Sequence, residues 1–210
     1  MVPFMSGSLF DQAGNRKYLT ARERFAFVHA ACRQGGEIAT FCLALAFTGA
    51  RISEVLALTA ERIDRGNSAI VFETLKRRKR GLFRAIPVPR KLLVILDTVH
   101  GLGATRRDPR ERLWRWGRTT AWKYVKRVMN AAGIPDALRK PKALRHGFAV
   151  DAGQNGIPLN IVQRWLGHAR LETTAIYAGA LGKEERNLAR RAMGGLEVAL
   201  RSSVSDCHEA

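Results

Sequence analysis

Five residues of this 210-residue chain carry side chains that together could break a phosphodiester bond without a metal ion. They are one phenol, three cations and one imidazole: Tyr177, Arg51, Lys76, Arg145 and His168. Transesterification at phosphorus needs a nucleophile, stabilisation of charge on the non-bridging oxygens, and an acid for the departing 5′-oxygen. The set contains a candidate for each need.

The phenol of Tyr177 is the candidate nucleophile. With an ordinary pKa of about 10 it ionises poorly at neutral pH, so nearby cations must orient the phosphate and also favour the phenolate. Arg51 and Arg145 suit this task because a guanidinium binds phosphate oxygens as a planar fork. Lys76 is the candidate general acid, and His168 can donate to a remaining phosphate oxygen.

Each residue alone has a simpler interpretation. A single tyrosine usually belongs to the core or the surface, and a single arginine usually faces solvent. Lys76 opens a basic run that could be a solvated or phosphate-contacting loop, and His168 could cap a helix that begins near Leu171. The joint occurrence of all five in this order favours the chemical interpretation.

The charge balance indicates a polyanionic partner. Lys and Arg total 36 against 18 Asp and Glu, which gives a net charge of +18 and a pI of about 11.1. This exceeds what solubility needs, so nucleic acid is the leading candidate, with a merely solvated basic surface as the alternative.

The cysteines and apolar segments indicate the cellular compartment and whether a metal is needed. Cys32, Cys42 and Cys207 are odd in number and lack CxxC spacing, so neither a disulfide framework nor a zinc site is expected. The apolar run 41–47 is far shorter than the roughly 20 residues that cross a bilayer. No export signal or carboxylate cluster is evident. We predict a cytoplasmic protein that needs no metal and no cofactor.

The first 19 residues show little apolar periodicity and contain Pro3, Ser6, Gly7, Ser8 and Gly14, so we assign 1–19 to a flexible arm. Thr20 and Glu23 have capping-box spacing and predict a helix over 21–33. The apolar run 38–47 predicts a buried second helix.

Thr48-Gly49 ends that second helix, so Arg51 falls at a junction between helices. Two β-prone runs follow, 69–74 and 82–88. They flank the basic segment 76–81 and predict a hairpin, with a short first strand near 62–64. After Pro89 the helical pattern returns at 90–99, 119–132, 144–154, 159–166, 173–178 and 183–193. The fold class is therefore mainly α with a small antiparallel β-sheet (α+β).

Three segments, 48–56, 144–149 and 166–177, resemble the active-site boxes of tyrosine recombinases, the phage-integrase family. The hairpin with Lys76 and the segment 84–89 is similar to the hairpin that carries the family's catalytic lysine. The resemblance implies a tyrosine-recombinase catalytic domain over 20–196, followed by a disordered tail over 197–210.

By this resemblance Arg51 and Arg145 clamp the phosphate, Lys76 is the general acid, His168 is the second-box histidine, and Tyr177 forms a 3′-phosphotyrosyl link. The implied function is site-specific recombination of double-stranded DNA by a tetramer, as integration, excision, inversion or resolution. Two alternatives stay open. One is a topoisomerase-like relaxase, and the other is a regulatory DNA-binding protein derived from a recombinase.

Two departures from the family pattern stand out. Lys142 occupies the position where the family usually has a histidine, three residues before Arg145. An ordinary lysine cannot shuttle protons near neutral pH, so Lys142 is expected to add charge to the catalytic pocket, or else to contact a backbone phosphate.

The second departure is the short segment ahead of the first helix, which leaves no room in this sequence for a separate DNA-clamping domain. Candidate DNA contacts on the domain itself are Arg77, Arg78, Lys79, Arg80, Arg115, Arg118, Lys123 and Lys126. The tryptophans among them, Trp114, Trp116 and Trp122, are expected to be packing anchors. Whether the C-terminal helix docks on its own domain or on a neighbouring copy stays open.

Overall fold

The computed structural model describes residues 9–74, 81–103, 108–169 and 172–177. Eight α-helices, two short 3-10 helices and three strands occur in these segments, and the prediction of a mainly helical fold with a small antiparallel sheet is confirmed. The α-helices and strands follow. In chain order they are α1 (Ala21–Cys32), α2 (Gly36–Thr48), α3 (Ile52–Leu56), β1 (Ile63–Asp64), β2 (Ala69–Glu73), β3 (Phe83–Pro87), α4 (Arg90–His100), α5 (Arg118–Ala131), α6 (Pro141–Gln154), α7 (Leu159–Leu166) and α8 (Glu172–Ala175).

Helix α2 lies at the centre of the larger hydrophobic core, because its own side chains are apolar and buried on nearly all sides. It packs against α1, α4, α5 and α6. Gly49 ends it with a left-handed φ of 60°, and a Cβ there would lie 2.5 Å from Cδ1 of Phe148. Only glycine avoids both the backbone strain and the collision. The tight turn delivers Arg51 to the N-terminus of α3.

The sheet has the order β1-β2-β3, with every pair antiparallel. Ile70 lies opposite Ile63 on one side and Ile86 on the other. In β3 the inward positions are Arg84 and Ile86. The end of the predicted hairpin, with Lys76, Arg77, Arg78, Lys79 and Arg80, lies outside the described residues.

Two helix boundaries differ from the sequence prediction. Helix α6 begins at Pro141 rather than near residue 144, because proline suits the first turn of a helix, where its missing N–H is no loss. Lys142 therefore belongs to the first turn of α6. Helix α8 is a single turn, shorter than predicted. The predicted helix over 183–193 and the tail over 197–210 lie outside the described residues.

Residues 9–19 correct the assignment of 1–19 to a flexible arm. Phe10 and Arg16 form an antiparallel bridge, and the N–H of Leu19 donates to the carbonyl of Ala143. Leu9 and Leu19 are buried. This part of the chain packs because its leucines fill the domain's core, which local composition does not reveal. Across the described segments, no helix combines the length and apolarity that crossing a bilayer requires.

Candidate active site

The site begins at the N-terminus of α3, where Glu54 holds Arg51. The Glu54 carboxylate accepts a hydrogen bond from the backbone N–H of Arg51 at 2.8 Å and another from its Nη1 at 2.8 Å. Glu54 is 2% exposed, and Arg51 is partly exposed. Burial alone would raise the pKa of Glu54, but the attraction of Arg84 and Arg51 holds it below its usual value. Glu54 is thus an anion that orients Arg51.

Arg84 joins three parts of the fold. Its Nη2 donates to Oε2 of Glu54 at 2.6 Å, its Nε to the carbonyl of Trp165 at 2.7 Å, and its Nη1 to Oγ1 of Thr74 at 3.0 Å. Gly167 has a φ of 64°, and a Cβ there would lie 3.0 Å from Cζ of Arg84. The sequence motif included Arg84 without a role. Arg84 lies on the same buried face of β3 as Ile86. This alternation was the available signal, because a buried charge needs a partner.

Arg145 is the most buried of the predicted cations that the structure describes, with 8% of its surface exposed. Its Nη1 donates to the carbonyl of Gly49 at 2.8 Å and its Nη2 to the carbonyl of Leu166 at 2.6 Å. Burial, reinforced by the charge of Arg51, lowers its pKa to about 10. Arg145 remains a cation at neutral pH and fixes the turn after α2 against the end of α7.

His168 follows the left-handed turn at Gly167 and lies beside Tyr177. Its Nδ1 is 2.9 Å from Oγ1 of Thr174, and its ring stacks on that of Tyr177 with centroids 6.4 Å apart. Burial, then the charges of Arg145 and Arg51, lower the pKa of His168 to about 3. The imidazole is therefore neutral at physiological pH.

Tyr177 is 3% exposed and belongs to a small second hydrophobic cluster. Its hydroxyl lies 2.8 Å from Nδ1 of His146. Burial raises its pKa to about 12, although Arg145 and Arg51 act in the opposite direction. The two cations thus favour the phenolate, as expected, but in this state desolvation of the phenol outweighs them.

His146 is the site residue that sequence reasoning missed. It follows Arg145 directly in α6, within the motif 144–149, but received no role. Burial, then the charges of Lys142, Arg145 and Lys17, lower its pKa to about 4. The available signal was its spacing, since positions 142 and 146 share a helix face one turn apart.

Lys142 itself is exposed on the first turn of α6 and acts on His146 through its charge. Its part in catalysis stays a prediction, and Lys76 lies outside the described residues.

A cleft of about 270 Å³ opens beside these groups, between β3 and α7, and is lined by Thr74, Arg84, Gln163, Gly167 and His168, among others. Within the described segments, no three His, Cys, Asp or Glu residues are grouped so as to hold a metal ion.

The candidate DNA contacts that the structure describes lie on or near α5. Arg115, Arg118 and Lys123 are exposed, and Arg115 pairs with Glu111. Lys126 lies 3.5 Å from a carboxylate oxygen of Asp136. The remaining contacts, Arg77, Arg78, Lys79 and Arg80, lie outside the described residues.

The nearby tryptophans mostly pack, as expected. Trp114 is buried and donates to the carbonyl of Glu37. Trp116 contacts Phe41 and Tyr124, whereas Trp122 is 39% exposed.

A helical domain that gathers two guanidinium groups, a neutral imidazole and a phenol matches the fold and the residue set expected of a tyrosine-recombinase catalytic domain. The profile of the Phage integrase family matches residues 17–184. The protein belongs to this family.

Two curated relatives illustrate the similarity. Tyrosine recombinase XerA of Pyrococcus furiosus is 34% identical over 163 residues, which cover 70% of this chain and 54% of the relative. Tyrosine recombinase XerD of Mycobacterium tuberculosis H37Rv is 34% identical over 140 residues, covering 62% and 43%. The chain thus spans about half the length of these relatives.

Solved structures share the fold. A crystal structure of XerA recombinase superposes with a TM-score of 0.68 at 24% identity, covering 83% of this chain and 64% of the other. The XerH site-specific recombinase in a post-cleavage complex with a palindromic difH substrate gives a TM-score of 0.70 at 23% identity, covering 89% and 56%.

Proposed function

We propose that the protein is a site-specific DNA recombinase that cleaves and rejoins strands through a 3′-phosphotyrosyl link on Tyr177. The observation that carries this proposal is that the fold brings four of the predicted side chains together. Arg51, Arg145, His168 and Tyr177 come from separate elements, yet they lie close enough together that the charges of Arg51 and Arg145 act on both the imidazole of His168 and the phenol of Tyr177. A structural tyrosine would not need two buried or half-buried arginines beside it.

The charge of the pocket favours a phosphodiester as ligand. Among the described residues, three guanidinium groups, those of Arg51, Arg84 and Arg145, face the single carboxylate of Glu54. Such an excess of fixed cations in a buried pocket stabilises an entering anion, and still more the charge that develops during transfer.

The reaction would proceed by attack of the Tyr177 oxygen on phosphorus while the bond to the 5′-oxygen breaks. Arg51 and Arg145 would hold the non-bridging oxygens, His168 would donate one further hydrogen bond, and Lys76 would protonate the leaving oxygen. Because the phosphotyrosyl link retains the bond energy, a 5′-hydroxyl from a second duplex can reverse the step without ATP.

We further propose that the protein works as a homotetramer on double-stranded DNA, which would place it on the nucleoid. The net charge of +18 supports a DNA partner. The neighbouring XerH structure holds its difH substrate. Lys142 and the exposed cations along α5 would contribute to backbone binding.

The test is covalent trapping. DNA attached to the protein in cells is sequenced to identify the site, and a nicked suicide duplex of that sequence is then offered to the purified chain. The wild type should become covalently attached. Tyr177→Phe should bind the same duplex with unchanged affinity and form no adduct, whereas the control Tyr124→Phe should react normally.

Attachment by Tyr177→Phe would refute the assignment of the nucleophile. Tight binding without attachment by the wild type, at every site recovered, would favour a regulatory DNA-binding protein.

A further inference from the structure

We propose that His146 is the general base that removes the proton from Tyr177 during strand cleavage. The inference deepens the proposed function and rests on it. Its basis is the approach of Nδ1 of His146 to within 2.8 Å of the Tyr177 hydroxyl, a direct hydrogen bond between two side chains 31 positions apart.

The tightly packed helix α6 fixes the position of His146. On one side Arg145 is anchored to the carbonyls of Gly49 and Leu166. On the other side a Cβ at Gly147 would lie 2.5 Å from the carbonyl oxygen of Leu19, so the helix contacts that backbone closely. The imidazole is thus held where the phenol can reach it, as a preorganised base requires.

The site needs a base because Tyr177 is buried and remains a neutral phenol at physiological pH. The other candidates fit this role less well. His168 stacks parallel to the phenol ring, with an interplanar angle of 14°, and its Nδ1 contacts Thr174. The ammonium of an ordinary lysine such as Lys142 has no lone pair to accept a proton.

The proposed step conserves protons and electrons. Neutral His146 carries its hydrogen on Nε2, so that Nδ1 accepts the O–H of Tyr177. As an oxygen lone pair forms the bond to phosphorus, the phenolic proton passes to Nδ1 and the bond from phosphorus to the 5′-oxygen breaks. The departing oxygen takes a proton from Lys76. In the reverse step the imidazolium returns its proton to the tyrosine oxygen.

Binding of DNA should strengthen this base. Three cations face His146: Lys142 and Arg145 from α6, and Lys17 from the segment before α1. Two neutral titratable groups, Tyr177 and His168, face it from beyond α7. The three cations disfavour the imidazolium. A phosphate that enters among them offsets their charge, so the pKa of His146 should rise in the complex.

The variant His146→Asn tests the role with minimal change in shape. Its amide oxygen lies near the former Nδ1 and can accept the tyrosine hydrogen bond, but it cannot take the proton. We expect single-turnover attachment to the nicked duplex to fall about 100- to 1,000-fold at pH 7, the usual range for a general base. Affinity for the duplex should not change, and the control His29→Asn should react like the wild type.

The pH dependence separates a base from a residue that only positions Tyr177. Without a base, attachment requires the phenolate, whose fraction rises about tenfold per pH unit below its pKa. The ratio of the wild-type rate to the His146→Asn rate should therefore narrow about 100-fold between pH 7 and pH 9. Lys76 is common to both proteins and cancels in this ratio.

A constant ratio across this range, or a wild-type rate in His146→Asn, would overturn the proposal. If His146→Asn fails to fold, His146→Ala provides the second test, and added imidazole should restore attachment in proportion to its neutral form. No restoration would count against the base. Attachment by Tyr177→Phe would instead overturn the proposed function and the His146 proposal with it.

Discussion

The ion pair between Arg84 and Glu54 leads to a quantitative prediction about how Arg51 is held. In Arg84→Met the apolar side chain fills most of the arginine volume but leaves Glu54 buried with Arg51 as its remaining cation. Breaking a buried pair by removing one partner costs about 3–5 kcal/mol. The carbonyl of Trp165 and the hydroxyl of Thr74 also lose their donor.

This loss is a large part of a typical domain stability of roughly 5–15 kcal/mol, so the variant should fold but unfold at much lower urea concentration. The substitution should also slow covalent attachment, and this effect should be separable from the loss of stability. Without Arg84, the carboxylate draws the guanidinium of Arg51 toward itself and away from the phosphate. Attachment to the nicked duplex should fall by at least tenfold under conditions where the variant is fully folded.

The double variant Arg84→Met with Glu54→Gln supplies the control. Glutamine can still accept the backbone N–H of Arg51, and no buried charge is left unpaired. The double variant should therefore be more stable than Arg84→Met alone, by about 1–3 kcal/mol, and should recover part of the attachment rate. If Arg84→Met costs less than about 1 kcal/mol, or if the double variant is the least stable of the three, the assignment of Arg84 as an electrostatic partner of Glu54 is wrong.

Two further substitutions test the turn after α2 and the first turn of α6. Gly49→Ala combines a left-handed backbone with a Cβ placed 2.5 Å from Phe148, so we expect a loss of roughly 2–5 kcal/mol in urea unfolding. A stability within about 0.5 kcal/mol of wild type would contradict the close packing of Gly49 against Phe148. Lys142→His should retain or improve covalent attachment, and removal of the lysine charge should raise the pKa of His146, which an NMR titration can follow. Complete loss of attachment would give Lys142 a role beyond charge.

Local signals predicted much of the fold. The capping box of Thr20 and Glu23 is present as the spacing indicated, with Thr20 accepting from the N–H of Glu23 and Glu23 accepting from that of Thr20. The two β-prone runs, 69–74 and 82–88, form the antiparallel strands β2 and β3. The packing of Leu9 and Leu19 was missed, because Leu9 packs in the second hydrophobic cluster and Leu19 in the larger one, among residues distant in the sequence.

The candidate site, too, could be predicted from the sequence only in part. Residue types and order identified Arg51, Arg145, His168 and Tyr177 as a set, because the chemistry constrains which side chains are needed. The contacts that hold them could not be read from spacing. The carbonyl that receives Arg84 belongs to a residue 81 positions away, and the direction of the pKa shift of Tyr177 depends on the balance of burial against two cations.

The anchoring of Arg145 explains how a buried arginine can both stabilise the domain and act on a ligand. A guanidinium has five N–H donors in one plane. Two of the nitrogens of Arg145 each donate to a carbonyl oxygen, at Gly49 and at Leu166, and these bonds fix the plane of the group. The remaining donors are thereby held in set directions, and the group interacts electrostatically with Arg51 and Tyr177. Donors fixed before the substrate arrives need no reorganisation as charge develops on phosphorus, which is the condition under which they lower a barrier most.

Arg51, which is partly exposed and held by one carboxylate, is positioned less rigidly. In the proposed reaction the two arginines would therefore be unequal partners, with Arg145 the fixed element of the phosphate site and Arg51 the adjustable one.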